Sequence, residues 1–170
     1  VSFPLVDKQL GHYELLGGLG SGAMSEVYLA RDTQLDRLVA VKVLSSQIVR
    51  RADGVQRFQR EAQAAARLEH PNVATVFYSG THEGNPYYGM ELIRGWSFRE
   101  LVESRVSFTL DQVLPLFAQA CVGLEAAHRS GVTHRDIKPG NLMIAESGTL
   151  KVVDFGLAQL AEEDNRNKRR

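Results

Sequence analysis

Cysteine is almost missing from this 170-residue sequence. Cys121 stands alone, which excludes a disulfide within the chain and suits a reducing compartment such as the cytoplasm. Net charge is missing as well: twenty Lys and Arg offset twenty Asp and Glu, so composition gives no reason to expect nucleic acid or an anionic membrane as a partner. No apolar run approaches the length of a membrane-spanning helix. The opening residues lack the basic region and apolar stretch of a signal peptide, and they lack an initiator Met. His70, His82, His128 and His134 fall in different predicted elements, without metal-ligand spacing. There are no internal repeats. What remains is an ordinary globular composition, 44% apolar and 24% charged, with length enough for one compact domain and a real core.

Two compositional halves follow one another. Up to about Leu92 the chain reads as short strands at 13–19, 26–30, 38–44, 73–81 and 87–92, rich in β-branched and aromatic residues and joined by polar turns. That pattern suits an antiparallel sheet. One helix interrupts it: Asp53 and Gln56 form a capping pair, and Val55, Phe58, Ala62, Ala65 and Ala66 recur at helical spacing. It ends before Pro71. Beyond Arg94-Gly95, helices take over. Ser97 with Glu100 caps a short one to about Ser104, and Thr109 with Gln112 caps a longer one to about His128. The longer helix carries Val113, Leu114, Phe117, Cys121 and Leu124 along one side, with Pro115 predicting a late start or a slight kink. Residues 142–145 and 149–152 around Ser147-Gly148 read as a hairpin, and the charged residues 161–170 as a solvated tail.

The chemistry concentrates in His134-Arg135-Asp136-Ile137-Lys138-Pro139-Gly140-Asn141, followed by Asp154-Phe155-Gly156. An Asp to orient a hydroxyl, a nearby Lys, and an Asn with a second Asp to hold magnesium are what phosphoryl transfer from ATP requires. Upstream, Leu19-Gly20-Ser21-Gly22-Ala23-Met24-Ser25-Glu26-Val27 places glycines between two predicted strands, where backbone amides can approach phosphate oxygens. Alone, such a hairpin is more often just a turn. Its position between strands argues against a dinucleotide fold or a Walker loop. Lys42, in Val39-Ala40-Val41-Lys42, would on its own read as a lysine facing water, and Glu61 as one more charge on a helix.

Together these motifs resemble the eukaryotic-type protein kinases, most closely the bacterial Ser/Thr kinases, from about Tyr13 to Leu160. The resemblance implies an α+β two-lobe protein kinase-like fold: an antiparallel N-lobe sheet with one helix (13–93) and the start of a helical C-lobe (94–170), together one partial kinase domain over 13–170. It also implies ATP and Mg²⁺ as cofactors and transfer to Ser or Thr hydroxyls of protein substrates. Asp136 would orient the substrate hydroxyl, Lys138 would steady the γ-phosphate, and Asn141 and Asp154 would hold the metal. Leu19, Gly20, Ser21 and Gly22 would cover the phosphates. Lys42, positioned by Glu61, would clamp them. The Glu91 carbonyl and the Ile93 amide would bond the adenine edge beside Met90, with Val27, Ala40 and Met143 sandwiching the ring.

The sequence departs from the family at three places. Ser25 replaces the third glycine of the flap, implying a stiffer loop. Gly140 replaces a common Glu that reads basic residues of a peptide. Trp96 stands where a small residue usually follows the hinge glycine. Arg135 implies regulation by phosphorylation, and His134 is expected to pack on Phe155. No Ala-Pro-Glu motif follows Gly156. The expectation is therefore a piece of a longer kinase, weak in protein phosphorylation by itself, whose long helix leaves an apolar face uncovered. The full-length parent would autophosphorylate and continue into a membrane anchor. The rival readings are a nucleotide-binding or regulatory module without catalysis, and a small-molecule kinase of the same fold; Lys138 and Gly156 speak against the latter.

Overall fold

A computed structural model describes residues 3–22, 24–51 and 54–155. The chain divides into two compact units, Val1–Ala66 with Val76–Leu92, and Arg67–Thr75 with Ile93–Arg170. Residues 67–75 thus belong with the second unit, although they precede the last two strands of the first.

The first unit is a six-stranded antiparallel sheet in the order β1-β2-β3-β4-β6-β5. Its strands are β1 (Gln9–Leu10), β2 (Tyr13–Ser21), β3 (Ser25–Asp32), β4 (Arg37–Leu44), β5 (Val76–His82) and β6 (Asn85–Met90). Turn chemistry fixes the hairpins. Asp32 Oδ1 accepts from the amides of Gln34 and Leu35, both at 3.1 Å, closing the β3–β4 turn. Glu83 and Gly84 both adopt positive φ, 49° and 80°, as a two-residue β5–β6 loop requires. Alternation then sorts the side chains. Val39, Val41 and Val43 face one side with Tyr13, Leu15, Tyr28, Ala30 and Tyr87, forming the core of the sheet. Ala40 and Lys42 face the other side.

Two expectations need correction here. The sheet carries a second, four-residue helix, α1 (Ser46–Val49), besides α2 (Gly54–Ala65). A single turn has too few residues to show a helical period, so no pattern announced it. The strand expected from Val73 begins only at Val76, because Val73 instead makes a parallel bridge to Val152 in the second unit. Asp53, the expected cap of α2, lies outside the described residues.

In the second unit, β7 (Gly95–Ser97), β8 (Leu142–Ala145) and β9 (Leu150–Val152) form a three-stranded antiparallel sheet, of which β7 had no sequence signal. Both capping sites are present. Ser97 Oγ accepts from the Glu100 amide at 3.2 Å and the Ser97 amide donates to Glu100 Oε2 at 2.6 Å, opening α3 (Phe98–Glu103). Such caps contribute about 1 kcal/mol. The Thr109 amide donates to Gln112 Oε1 at 3.0 Å at the head of α4 (Leu110–Arg129). This helix does not start late: it begins at Leu110 and runs through Pro115. Small residues, Ala120, Gly123 and Ala127, face inward. A Cβ on Gly123 would come within 2.7 Å of the Asn72 carbonyl oxygen, so the helix approaches that backbone too closely for a larger residue. Leu110, Leu114 and Phe117 remain 75%, 61% and 46% exposed, and Cys121 is exposed too, so the uncovered apolar face is real.

Candidate nucleotide and phosphoryl-transfer site

Sheet register positions the nucleotide-side residues of the first unit. Val27 pairs with Lys42 across β3–β4, Ala40 pairs with Met90 across β4–β6, and Lys42 pairs with Tyr88. Directly opposed residues share a face, so Val27, Ala40, Lys42 and Met90 lie together on the side away from the valine-rich core. Lys42 is 3% exposed. On the same face the rings of Tyr88 and of Phe58 from α2 stand 5.1 Å apart. Glu61 lies on α2, but its side chain is outside the described residues. The flap is the β2–β3 hairpin, in which Gly20 pairs with Val27 and Ser21 with Glu26, and the Gly22 amide donates to the Ser25 carbonyl at 2.9 Å. Leu19 is exposed and Ser25 is buried. Glu91 is half-buried just beyond β6.

In the second unit the loop over 134–141 has almost no regular structure, and individual polar side chains hold it. Asn141, at the end of a 3₁₀ turn (Pro139–Asn141), is buried and donates through Nδ2 to the Asp136 carbonyl at 2.8 Å and to Asp136 Oδ2 at 3.3 Å. Lys138 Nζ makes an ion pair and hydrogen bond to the same Oδ2. Asp136, Lys138 and Asn141 are therefore joined through one carboxylate that remains partly open to solvent. The Asn141 carbonyl accepts from the Val153 amide at 3.0 Å, tying this loop to the residue before Asp154. Asp154 and Arg135 both adopt positive φ, 61° and 63°, an uncommon conformation for non-glycine residues.

His134 ties the two segments together. It is 2% exposed; Nε2–H donates to the Val153 carbonyl at 2.8 Å, and Nδ1 accepts from the Asp136 amide at 3.3 Å. That tautomer is neutral, and burial holds the imidazole pKa below its ordinary value. Its ring packs on Phe155 at 4.7 Å, as expected. Gly156 lies outside the described residues. Half-buried Met143 sits on β8, opposite Ser97 and Lys151, and Ile93 is half-buried in the link before β7.

Asn72 and Gln119 carry no motif signal, yet they brace the hairpin that leads to Asp154. Asn72 Nδ2 donates to the Leu150 carbonyl at 2.8 Å and to Gln119 Oε1 at 3.0 Å, and that Oε1 also accepts from the Leu150 amide at 2.9 Å. The only hint in the sequence is a polar residue directly after Pro71.

Residues 13–170 match a family model described as the protein kinase domain. The chain belongs to the protein kinase family. It is 43% identical to the serine/threonine-protein kinase PknB of Mycobacterium leprae over 86% of its length, and 42% identical to PknB of Mycobacterium tuberculosis over 90%. It is 38% identical to a probable serine/threonine-protein kinase, CPE1738, of Clostridium perfringens over 91%. The chain spans about a quarter of the length of these curated relatives, between 23% and 25%. Among solved structures it resembles the M. tuberculosis PknI kinase domain, with TM-score 0.80 and 30% identity, covering 89% of this chain and 61% of that one. The expected α+β kinase fold and the bacterial Ser/Thr kinase resemblance both hold. Among the described residues no cluster of three or more His, Cys, Asp or Glu could hold a metal, and no helix is long and apolar enough to cross a membrane.

Proposed function

We propose that this chain carries the nucleotide site and catalytic loop of a protein kinase that moves the γ-phosphoryl group of ATP, with Mg²⁺, onto Ser or Thr hydroxyls of proteins. The observation that carries this reading is the Asp136–Lys138–Asn141 constellation, three side chains joined through one partly exposed carboxylate. Asp136 accepts the hydrogen bond of the incoming hydroxyl and takes its proton as that oxygen bonds to the γ-phosphorus. The bond from phosphorus to the β,γ-bridging oxygen breaks, and ADP leaves. The Lys138 ammonium compensates charge on the transferring oxygens.

The donor set suits magnesium. Asn141 engages its amide nitrogen with Asp136, so its amide oxygen is the atom it offers a cation, and Asp154 offers a carboxylate. Both are hard oxygen donors of the kind magnesium prefers. A Mg²⁺ held there would supply neutralisation of phosphate charge. In the first unit, Lys42 (with Glu61 on α2) holds phosphates, while Leu19, Gly20, Ser21 and Gly22 cover them. Met90 and Glu91 bind the adenine edge, and Val27 and Ala40 contact one of its faces. Use of ATP supports a cytoplasmic location for this part of the protein.

The exposed Leu110, Leu114 and Phe117 support a second, narrower reading of the 170-residue chain by itself: it binds nucleotide but phosphorylates peptide slowly. Calorimetry of Mg²⁺-dependent ATP binding, beside a peptide phosphorylation assay, tests both readings. Asp154→Ala and Lys42→Ala should each weaken ATP binding, the former by on the order of 100-fold if metal-mediated stabilisation is several kcal/mol. No ATP binding by the wild type would overturn the proposal, and rapid peptide turnover would overturn the narrower reading.

A further inference from the structure

Residues 3–8 lie ahead of the first residue matched by the kinase family model, yet they are built into the sheet that carries the flap. The Asp7 amide donates to the Leu15 carbonyl and the Leu15 amide to the Lys8 carbonyl, both at 2.9 Å, so this strap is fastened to β2 itself. Phe3, Leu5 and Val6 pack on the valine-rich core, on the face opposite Lys42 and Ala40. The decisive contact is at Gly18. A Cβ there would fall 2.1 Å from the Phe3 ring, so the ring lies directly on bare backbone. Gly18 pairs across the ladder with Tyr28, and the Phe3 and Tyr28 rings meet edge-on at 5.6 Å. Phe3 therefore stands over both strands of the hairpin at the base of the flap, two residues before Gly20.

The flap needs such support. Gly17, Gly18 and Gly20 leave β2 with few side chains to hold it, Gly22 follows at its end, the ladder shifts register between Gly18 and Gly20, and each glycine adds conformational freedom that ordering must remove. An aromatic ring laid over a strand glycine restores the missing packing and stiffens the pair. A flap held near its working shape binds phosphates with less ordering cost.

We propose that the 3–8 strap backs the nucleotide flap and that Phe3 is a positioning residue for the ATP phosphates, acting through Gly18. The role rests on the nucleotide-site reading above. The test compares wild type, Phe3→Ala, Phe3→Tyr, Gly18→Ala and the Phe3→Ala/Gly18→Ala double variant in the 170-residue chain. Affinities for Mg²⁺-ATP and for adenosine, which has no phosphates, are measured by calorimetry, and amide exchange is followed over 16–22. Phe3→Ala and Gly18→Ala should each weaken ATP binding by about 3- to 10-fold, as a lost preorganisation does. Adenosine affinity should stay within about twofold, and exchange in the flap should speed up. The double variant should be no worse than either single one, because both remove the same contact. Phe3→Tyr should restore near wild-type behaviour and guards against a variant that fails to fold. Unchanged ATP affinity, or equal loss for ATP and adenosine, would overturn the positioning role. Absence of ATP binding by the wild type would instead overturn the nucleotide-site reading and the phosphate role with it, while the exchange rates still decide whether Phe3 backs the flap.

Discussion

The two units place their candidate site residues by different means. In the first, register does it: Val27, Ala40, Lys42 and Met90 share a face because the strands that carry them pair residue against residue. In the second, the loop bearing Asp136 and Lys138 has no ladder, and its shape depends on single side chains (His134, Asn141) that each satisfy particular backbone groups. A sheet spreads the cost of a change over many bonds. A loop of this kind concentrates it, because a buried polar group that loses its partner costs more than the bond it made.

Three substitutions sharpen that contrast. The largest effect is chemical. Asp136→Ala should lower the single-turnover rate of phosphoryl transfer by about 10²- to 10⁴-fold, the usual range for a general base, while calorimetry finds ATP affinity within about twofold of wild type. Comparable loss of ATP affinity would mean that this loop also shapes the nucleotide site, and the contrast would fail.

Next comes Asn72→Ala. It removes the bonds to the Leu150 carbonyl and Gln119 Oε1, and urea unfolding should report a loss of about 2 kcal/mol. A change below about 0.5 kcal/mol, typical of surface positions, would show that the hairpin before Asp154 does not depend on this brace.

The smallest effect concerns pH. Burial lowers the folded pKa of His134 below its ordinary 6.5, so the native state binds this proton less readily than the unfolded chain does. Its contribution is complete above pH 6.5 and is lost as pH falls from there towards the depressed folded value. The urea midpoint should therefore drop more between pH 7.5 and 5.5 in wild type than in His134→Gln. Equal drops would show that His134 titrates normally and that the neutral tautomer is not what holds the loop.

Much of this was legible from local signals. The capping residues Ser97 and Thr109 and the Asp136–Asn141 motif each state their geometry within a few residues. The structure brings Asp136, Lys138 and Asn141 together as the motif implied. What was misread depended on distance in sequence. The apolar residues of α4 form its exposed side, and nothing local announced that the side that packs is made of Ala120, Gly123 and Ala127, where close approach to Asn72 requires small residues. Val73 reads as a strand start because it is β-branched, yet its bridge partner is Val152.

The sequence by itself determined the family, the order of the main elements and the candidate chemical residues, because motif spacing and local propensity act over short separations. Only tertiary structure decided that Phe3 lies on Gly18, that Asn72 and Gln119 brace the hairpin before Asp154, and that His134 is held neutral between Val153 and Asp136. Those outcomes depend on which distant groups share buried space, where packing and unmet hydrogen bonds outweigh any preference a residue has among its neighbours in the chain.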